Sequence, residues 1–200
     1  MLDFLKRLPI DFGQAHLKHR TAGKRIALRH VPAASSGMRA LDIGCRDGYY
    51  SEILKQRGYT VCSIDINPQY PQAEVVDANQ PLPYADRTFD LIWCSEVLEH
   101  LRDPALAVAE FRRVLKPGGL LVLTTPNSGC WIYRILGLFG IPPAKAQNPD
   151  HKHFFTIADM RRLFPEARLF GYFPYILVTR TISCGLGLLT PTFVVIETRA

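Results

Sequence analysis

Five short strand-like runs, at residues 39–43, 60–64, 73–76, 88–93 and 119–125, recur along the chain with helical patterns between most of them. Strands that alternate with helices join through crossovers, which makes them parallel neighbours in one sheet. Several runs are apolar without interruption, "LLVLTT" among them, and such strands need cover on both faces. The expectation is an α/β fold. The tail, "ARLFGYF" then "TFVVIETRA", reads as two more strands joined without a clear helix, so the last is expected to return antiparallel.

Helix signals agree with that layout. Residues 14–30 carry a weak apolar stripe. Over 104–115, Asp103 can cap, Pro104 suits the first turn, and Ala107, Phe111, Val114 and Leu115 share one face before "KPGG" ends the helix. A further helix is expected from Thr156 to about Phe164, with Thr156 and Asp159 as a capping box and Phe155 with Met160 as a hydrophobic staple. Repeats, low-complexity tracts and long Pro/Gly-rich linkers are absent from the sequence, so 39–200 reads as one domain preceded by a basic helical extension or cap over 1–38.

Composition narrows the class. With 48% hydrophobic and 21% charged residues the chain can bury a full core. The net charge is +6, and residues 1–31 alone carry +5, so the excess is local. Such a segment permits contact with RNA or an anionic membrane surface, although a solvated helix face explains it as well. Five cysteines (Cys45, Cys62, Cys94, Cys130 and Cys184) without a C-x-x-C pair favour reduced thiols. No signal-peptide pattern and no membrane-length apolar run stands in the sequence, so a cytoplasmic location is expected.

In "ALDIGCRDGYYS", residues 40–51, a strand runs into Gly44 and a second glycine, Gly48, opens a helix. Ligands of open α/β sheets bind beyond the carboxyl ends of strands, and here those ends are acidic: Asp42, Asp65 and Asp77 follow three strands and Asp47 lies in the first turn. Asp65 comes 21 residues after Gly44, near the spacing at which a carboxylate reaches ribose hydroxyls. A pyrophosphate would meet Asp47 at the helix N-terminus and be repelled, which disfavours a nicotinamide dinucleotide. Adenosine joined to cationic groups suits four aspartates better, and S-adenosyl-L-methionine has that constitution.

The chain resembles the class I S-adenosylmethionine-dependent methyltransferases, of the small-molecule branch similar to methyltransferase types 11 and 23. The likeness rests on "LDIGCRDG", "SIDIN", "VVDANQPLPYADRTFDLIWCSEVLEHL" and "FRRVLKPGGLLVLTTPN", in that order. It implies a Rossmann-like doubly wound sheet of seven strands, mostly parallel with an antiparallel last strand. By the resemblance Asp42, Gly44, Cys45 and Gly48 belong to the methionine-binding turn, Asp65 holds ribose, Ile66 packs on adenine, Asp77 and Ala78 meet the adenine edge, and Ser95 with Glu96 border the methyl group. The family usually has glycine where this chain has Arg46, whose side chain either points to solvent or crowds the methionine carboxylate.

Methyl transfer chiefly requires positioning and, for a hydroxyl acceptor, removal of a proton. Candidate bases are His100, His151 and His153; each is equally readable as a structural or solvent-facing side chain. No metal is required, although His151-x-His153 beside Asp150 has a spacing that permits one. Glu96, Glu99 and His100 can form a cluster or simply one face of a surface turn. Residues 126–155 hold Trp131, Tyr133, Ile135, Leu136, Leu138 and Phe139, an apolar set fit for an acceptor pocket, a lid or ordinary packing. The "N/D/S-P-P-Y" signature of nucleic-acid amino-methyltransferases is absent after the fourth strand. The expected acceptor is a small molecule, methylated at oxygen. An RNA-directed enzyme using the basic segment and a catalytically silent binding module are the alternatives.

Overall fold

The computed structural model describes residue 19, residues 21–174 and residues 179–200. Eight strands form one sheet in the order β3-β2-β1-β4-β5-β8-β6-β7. They are β1 (Arg39–Ile43), β2 (Thr60–Asp65), β3 (Glu74–Val75), β4 (Phe89–Ser95), β5 (Leu115–Pro126), β6 (Arg168–Phe173), β7 (Arg180–Ile182) and β8 (Thr192–Thr198). β1 to β5 pair in parallel. β8 returns antiparallel between β5 and β6, and β7 adds an antiparallel edge beside β6. The expected mostly parallel α/β sheet with a reversed final strand is therefore present. Its strand count is eight rather than seven, because three residues, Arg180–Ile182, extend the edge by pairing with β6 alone.

The described residues form seven α-helices: α1 (Ala22–Arg29), α2 (Tyr49–Gln56), α3 (Pro104–Val114), α4 (Trp131–Leu138), α5 (Pro143–Ala146), α6 (Ile157–Leu163) and α7 (Leu186–Leu189). Alternation along the strands divides the core between the two faces. Leu41, Ile43, Ile92, Cys94, Leu121, Leu123, Phe193 and Val195 face Phe111, Met160 and Phe164 on one side. Ala40, Leu91, Trp93, Val122, Val194 and Ile196 face Ile26, Tyr50 and Leu54 on the other. This double cover is why those segments are apolar at consecutive positions.

The α3 start is as expected: Asp103 Oδ1 accepts from the amides of Ala105 and Leu106. Asp159 Oδ2 accepts from the Thr156 amide at 2.9 Å, and Phe155 and Met160 join the same core cluster. After α3 the chain enters β5 at once, since Leu115 already pairs with Phe89, so "KPGG" lies within the strand assignment rather than before it. Of the stripe at 14–30 the structure describes a helix over Ala22–Arg29, with Ala22, Ile26 and Ala27 buried in the second core cluster. Most of residues 1–20 lie outside the described residues. No helix among the described residues is long and apolar enough to cross a membrane, and none of the five cysteines is in a disulfide.

Candidate active site

β1 is flanked by β2, which leads outward to β3, and by β4, which leads the other way to β5. A crevice forms at such a switch point. A cleft of about 920 Å³ opens there, and Asp42, Asp47, Asp65 and Asp77 all line it.

Asp42 shares the face of β1 that α2 covers, and its Oδ2 accepts a 2.6 Å hydrogen bond from Ser51 Oγ, which itself accepts one from Ser63 Oγ at 2.8 Å. Burial dominates over that donor and, with Asp65 nearby, pushes the Asp42 carboxyl up to about 7. A buried group poised in this way is stabilised as a carboxylate by a cation placed against it. The neighbouring Cys45 thiol is pushed up to about 12, by burial first and then by Asp42, so it is a small buried residue of the turn and not a nucleophile.

The turn is built by two close approaches. A Cβ on Gly44 would stand 2.2 Å from Val97 Cγ2, and one on Gly48 would stand 2.3 Å from the Tyr70 ring; both glycines have positive φ. Arg46 adopts φ +48° without being glycine. Its side chain is exposed at the cleft, and its amide donates to Asp65 Oδ2 at 2.9 Å. The Asn67 amide donates to the other oxygen of Asp65 at 2.8 Å, fixing the carboxylate while leaving lone pairs for a diol. Asp47 accepts from His19 Nε2 at 3.0 Å and from the Tyr49 amide. Partial burial works against this carboxyl, but the His19 and Tyr49 contacts outweigh it and hold it below the usual range. Asp77 is held low as well, by the Asn79 amide and then the Asn79 side chain. Ile66 is 65% exposed on the cleft rim, an apolar surface beside Ala78 in the wall.

The end beyond β4 carries two of the histidines expected as bases, His100 and His151. Ser95 Oγ lies 2.8 Å from Thr124 Oγ1, which donates to Glu96 Oε1. Glu96 has φ +58°, a left-handed conformation that costs a non-glycine residue about 1 kcal/mol and is typical of functional turns. Glu99 is only 1% exposed, so the surface-turn reading of the Glu96, Glu99 and His100 segment fails. Its backbone carbonyl accepts from the amides of Lys152 and His153, and its Oε2 accepts from Thr125 Oγ1 at 3.0 Å. Burial, then the charge of Glu96, raises the Glu99 carboxyl well above its ordinary range.

His100 and His151 meet edge to face with ring centroids 4.8 Å apart. His100 Nδ1 lies 3.1 Å from the Asp150 carbonyl, which can only accept, so Nδ1 carries the proton and Nε2 the free lone pair. His151 is lowered to about 4 by burial and then by His100. His153 departs from its partners in the sequence: it stacks on Phe155 and its Nε2 lies 3.2 Å from the Arg102 carbonyl, outside the cleft lining. The His151, His153 and Asp150 spacing therefore brings no three ligands together.

Sequence reasoning did not single out Tyr50, Trp93 and Lys24, which complete the wall. Trp93 was findable from register, since it pairs with Asp42 and shares its face. Lys24 had no signal, because only packing of α1 brings it there. The apolar side chains of α4 do not line the cleft; Trp131, Ile135 and Leu138 are exposed.

Comparison with known proteins gives a consistent picture. A family model described as a methyltransferase domain matches residues 14–169. A ubiquinone biosynthesis O-methyltransferase of Aeromonas salmonicida is 30% identical over 152 residues, covering 66% of this chain and 63% of that protein. One from Pseudomonas aeruginosa is 33% identical over 121 residues, 52% of each chain. The chain thus spans about half the length of several curated relatives it matches. A solved S-adenosylmethionine-dependent methyltransferase from Archaeoglobus fulgidus shares the fold, with TM-score 0.62 and 18% identity over 92% of this chain and 97% of its own. Another from Methanosarcina mazei has TM-score 0.57 and 24% identity over 84% and 94%. The residues present fit the cofactor: a buried carboxylate awaiting a cation, a second carboxylate fixed with free lone pairs, and a phosphate-repelling Asp47 in one cleft. The chain belongs to the family described as a methyltransferase domain, and it has the fold of the solved S-adenosylmethionine-dependent methyltransferases it resembles.

Proposed function

We propose that the chain methylates a hydroxyl oxygen of a small-molecule acceptor. The observation that carries this reading is the continuity of one cleft from the four aspartates to His100 and His151, the two imidazoles that lie beside buried Glu99. When bound, S-adenosylmethionine supplies a methyl carbon already activated by its sulfonium. Asp42 would face the ammonium end, Asp65 the ribose, Asp77 and Ala78 the adenine edge, with Ile66 against its face. Ser95 and Glu96 would border the reacting centre, and Gly44, Cys45 and Gly48 give the turn its close approach. What remains for the protein is to hold the acceptor oxygen in line and to assist the loss of its proton. His100 and His151 line the cleft beside Glu99 and would assist that proton's departure. The naming of several relatives as O-methyltransferases supports oxygen as the acceptor atom.

The test is calorimetric titration with S-adenosylmethionine, followed by an acceptor screen with radiolabelled methyl donor. Wild type should bind, and Asp65→Ala should lose about 2 kcal/mol, roughly thirtyfold in affinity, through lost charge-assisted hydrogen bonds. Tight binding of NADH in place of the methyl donor would overturn the reading.

A further inference from the structure

One buried oxygen, behind the His100 and His151 side chains that line the cleft, lacks a partner among the described residues. Glu99 Oε1 is buried and accepts no hydrogen bond, whereas its twin Oε2 is bonded to Thr125. Leaving such an atom unpaired costs on the order of 1–3 kcal/mol, more for a charged group, so it marks a place where something binds.

Two imidazoles surround that oxygen. His151 Nε2 lies 4.0 Å away. One ligand atom each from Glu99, His100 and His151 lie within 4.8 Å of one another. The ring nitrogens on the far sides are already engaged: His100 Nδ1 with the Asp150 carbonyl, and His151 Nδ1 with Gln147 Oε1 at 3.3 Å. A proton on each Nδ1 serves those acceptors and turns the Nε2 lone pairs inward. Two nitrogen lone pairs and one carboxylate oxygen then converge with no donor among them.

A shared proton does not fit the Glu99–His151 spacing, because 4.0 Å exceeds hydrogen-bond length. It does fit two ligands of one cation: with bonds of about 2.0–2.2 Å, neighbouring ligand atoms lie about 3–4 Å apart. The outer contacts of the imidazoles also have the form of second-layer support, in which each ligand histidine engages a carbonyl oxygen through its other nitrogen.

We propose that Glu99, His100 and His151 hold one divalent transition-metal cation of the zinc class at the acceptor end of the cleft. Two imidazoles and one carboxylate suit zinc, manganese or ferrous iron better than magnesium or calcium. Three protein ligands leave at least one position open, the arrangement of a catalytic site and not of a structural one. The open position would take the acceptor's hydroxyl oxygen, and a hydroxyl so bound releases its proton to cleft water near neutral pH. This deepens the methyl-transfer reading and rests on it for the role of the cation, though not for its binding.

The experiment is titration of the metal-stripped full chain with Zn²⁺ by calorimetry and with Co²⁺ by visible absorption. Each sample is also titrated with S-adenosylmethionine. One equivalent should bind, with the intense visible band of low-coordinate cobalt. His151→Ala and the isosteric Glu99→Gln should each weaken binding by about a hundredfold, and His153→Ala should leave it unchanged. His151 lies on a loop, so its variant serves should Glu99→Gln fail to fold. No stoichiometric binding in wild type, or undiminished binding in His151→Ala, overturns the cation site. Such an outcome with S-adenosylmethionine binding retained leaves the proposed methyl transfer standing; loss of S-adenosylmethionine binding in wild type overturns that reading separately.

Discussion

Asp42 shows how one residue's surroundings set its chemistry. Its carboxyl is raised from 3.8 to about 7 by burial, against the opposing Ser51 hydrogen bond. Between those values the folded chain holds a proton that the unfolded chain releases. Asp42 therefore contributes stability that is complete below the lower value and lost as pH rises through the upper one. A cationic ligand reverses the preference, since it binds the ionised form. Affinity for S-adenosylmethionine should rise with pH up to about 7 and then level, falling about tenfold per unit on the acid side. Asp42→Asn should bind weakly with a flat profile, as calorimetry on both sides of neutrality will show. Gly48 makes a steric prediction: Gly48→Ala would force a Cβ to 2.3 Å from the Tyr70 ring at φ +76°. The cost should be about 2 kcal/mol or more, read as a lowered melting temperature together with weakened cofactor binding. At this scale the acidic strand ends and the glycine turn were legible, because both are local in sequence. The burial of Glu99 was not, since it depends on residues 152 and 153 folding back to donate to its carbonyl.

Elements follow the same division. The caps of α3 and α6 could be read from Asp103 and from Thr156 with Asp159, because a capping side chain bonds amides two or three residues away. Asp103→Ala should cost about 1 kcal/mol in chemical denaturation, with methyl-donor binding unaffected. β5 was less legible. Its first residues pair with Phe89 across a register shift, so a proline and two glycines sit within a strand whose sequence suggests a loop. β7 was missed because three residues at a sheet edge carry too little alternation to register, and only β6 defines them. α4 reads as apolar, yet none of its residues is buried. Periodicity reports that a face is apolar and says nothing of what covers it.

For the whole molecule, the antiparallel closure of β8 between β5 and β6 is secured by a side-chain clamp. Arg112 of α3 donates through Nε and Nη2 to Glu197 of β8 at 2.6 and 2.8 Å, and through Nη2 to the Leu163 carbonyl. The Glu197 side chain is 9% exposed, so removing its partner strands a nearly buried charge. Arg112→Ala should destabilise the chain by about 2 kcal/mol, and Glu197→Gln by less, because the amide retains a neutral contact. Urea denaturation of both variants decides the order.

By itself, the amino-acid order determined the α/β class, the parallel sheet with its reversed final strand, and an acidic rim suited to a cationic nucleoside. Each is written in neighbouring residues: periods of two and of three to four, caps, glycines and strand-end carboxylates. Tertiary structure alone decided which histidines meet. His151 and His153 are two residues apart, yet only the His151 ring reaches the Glu99 carboxyl and the His100 ring, while the His153 ring stacks on Phe155. The physical reason is that a loop's local sequence does not specify its path; the path is set by hydrogen bonds to a turn some fifty residues earlier, where the Glu99 carbonyl receives the Lys152 and His153 amides.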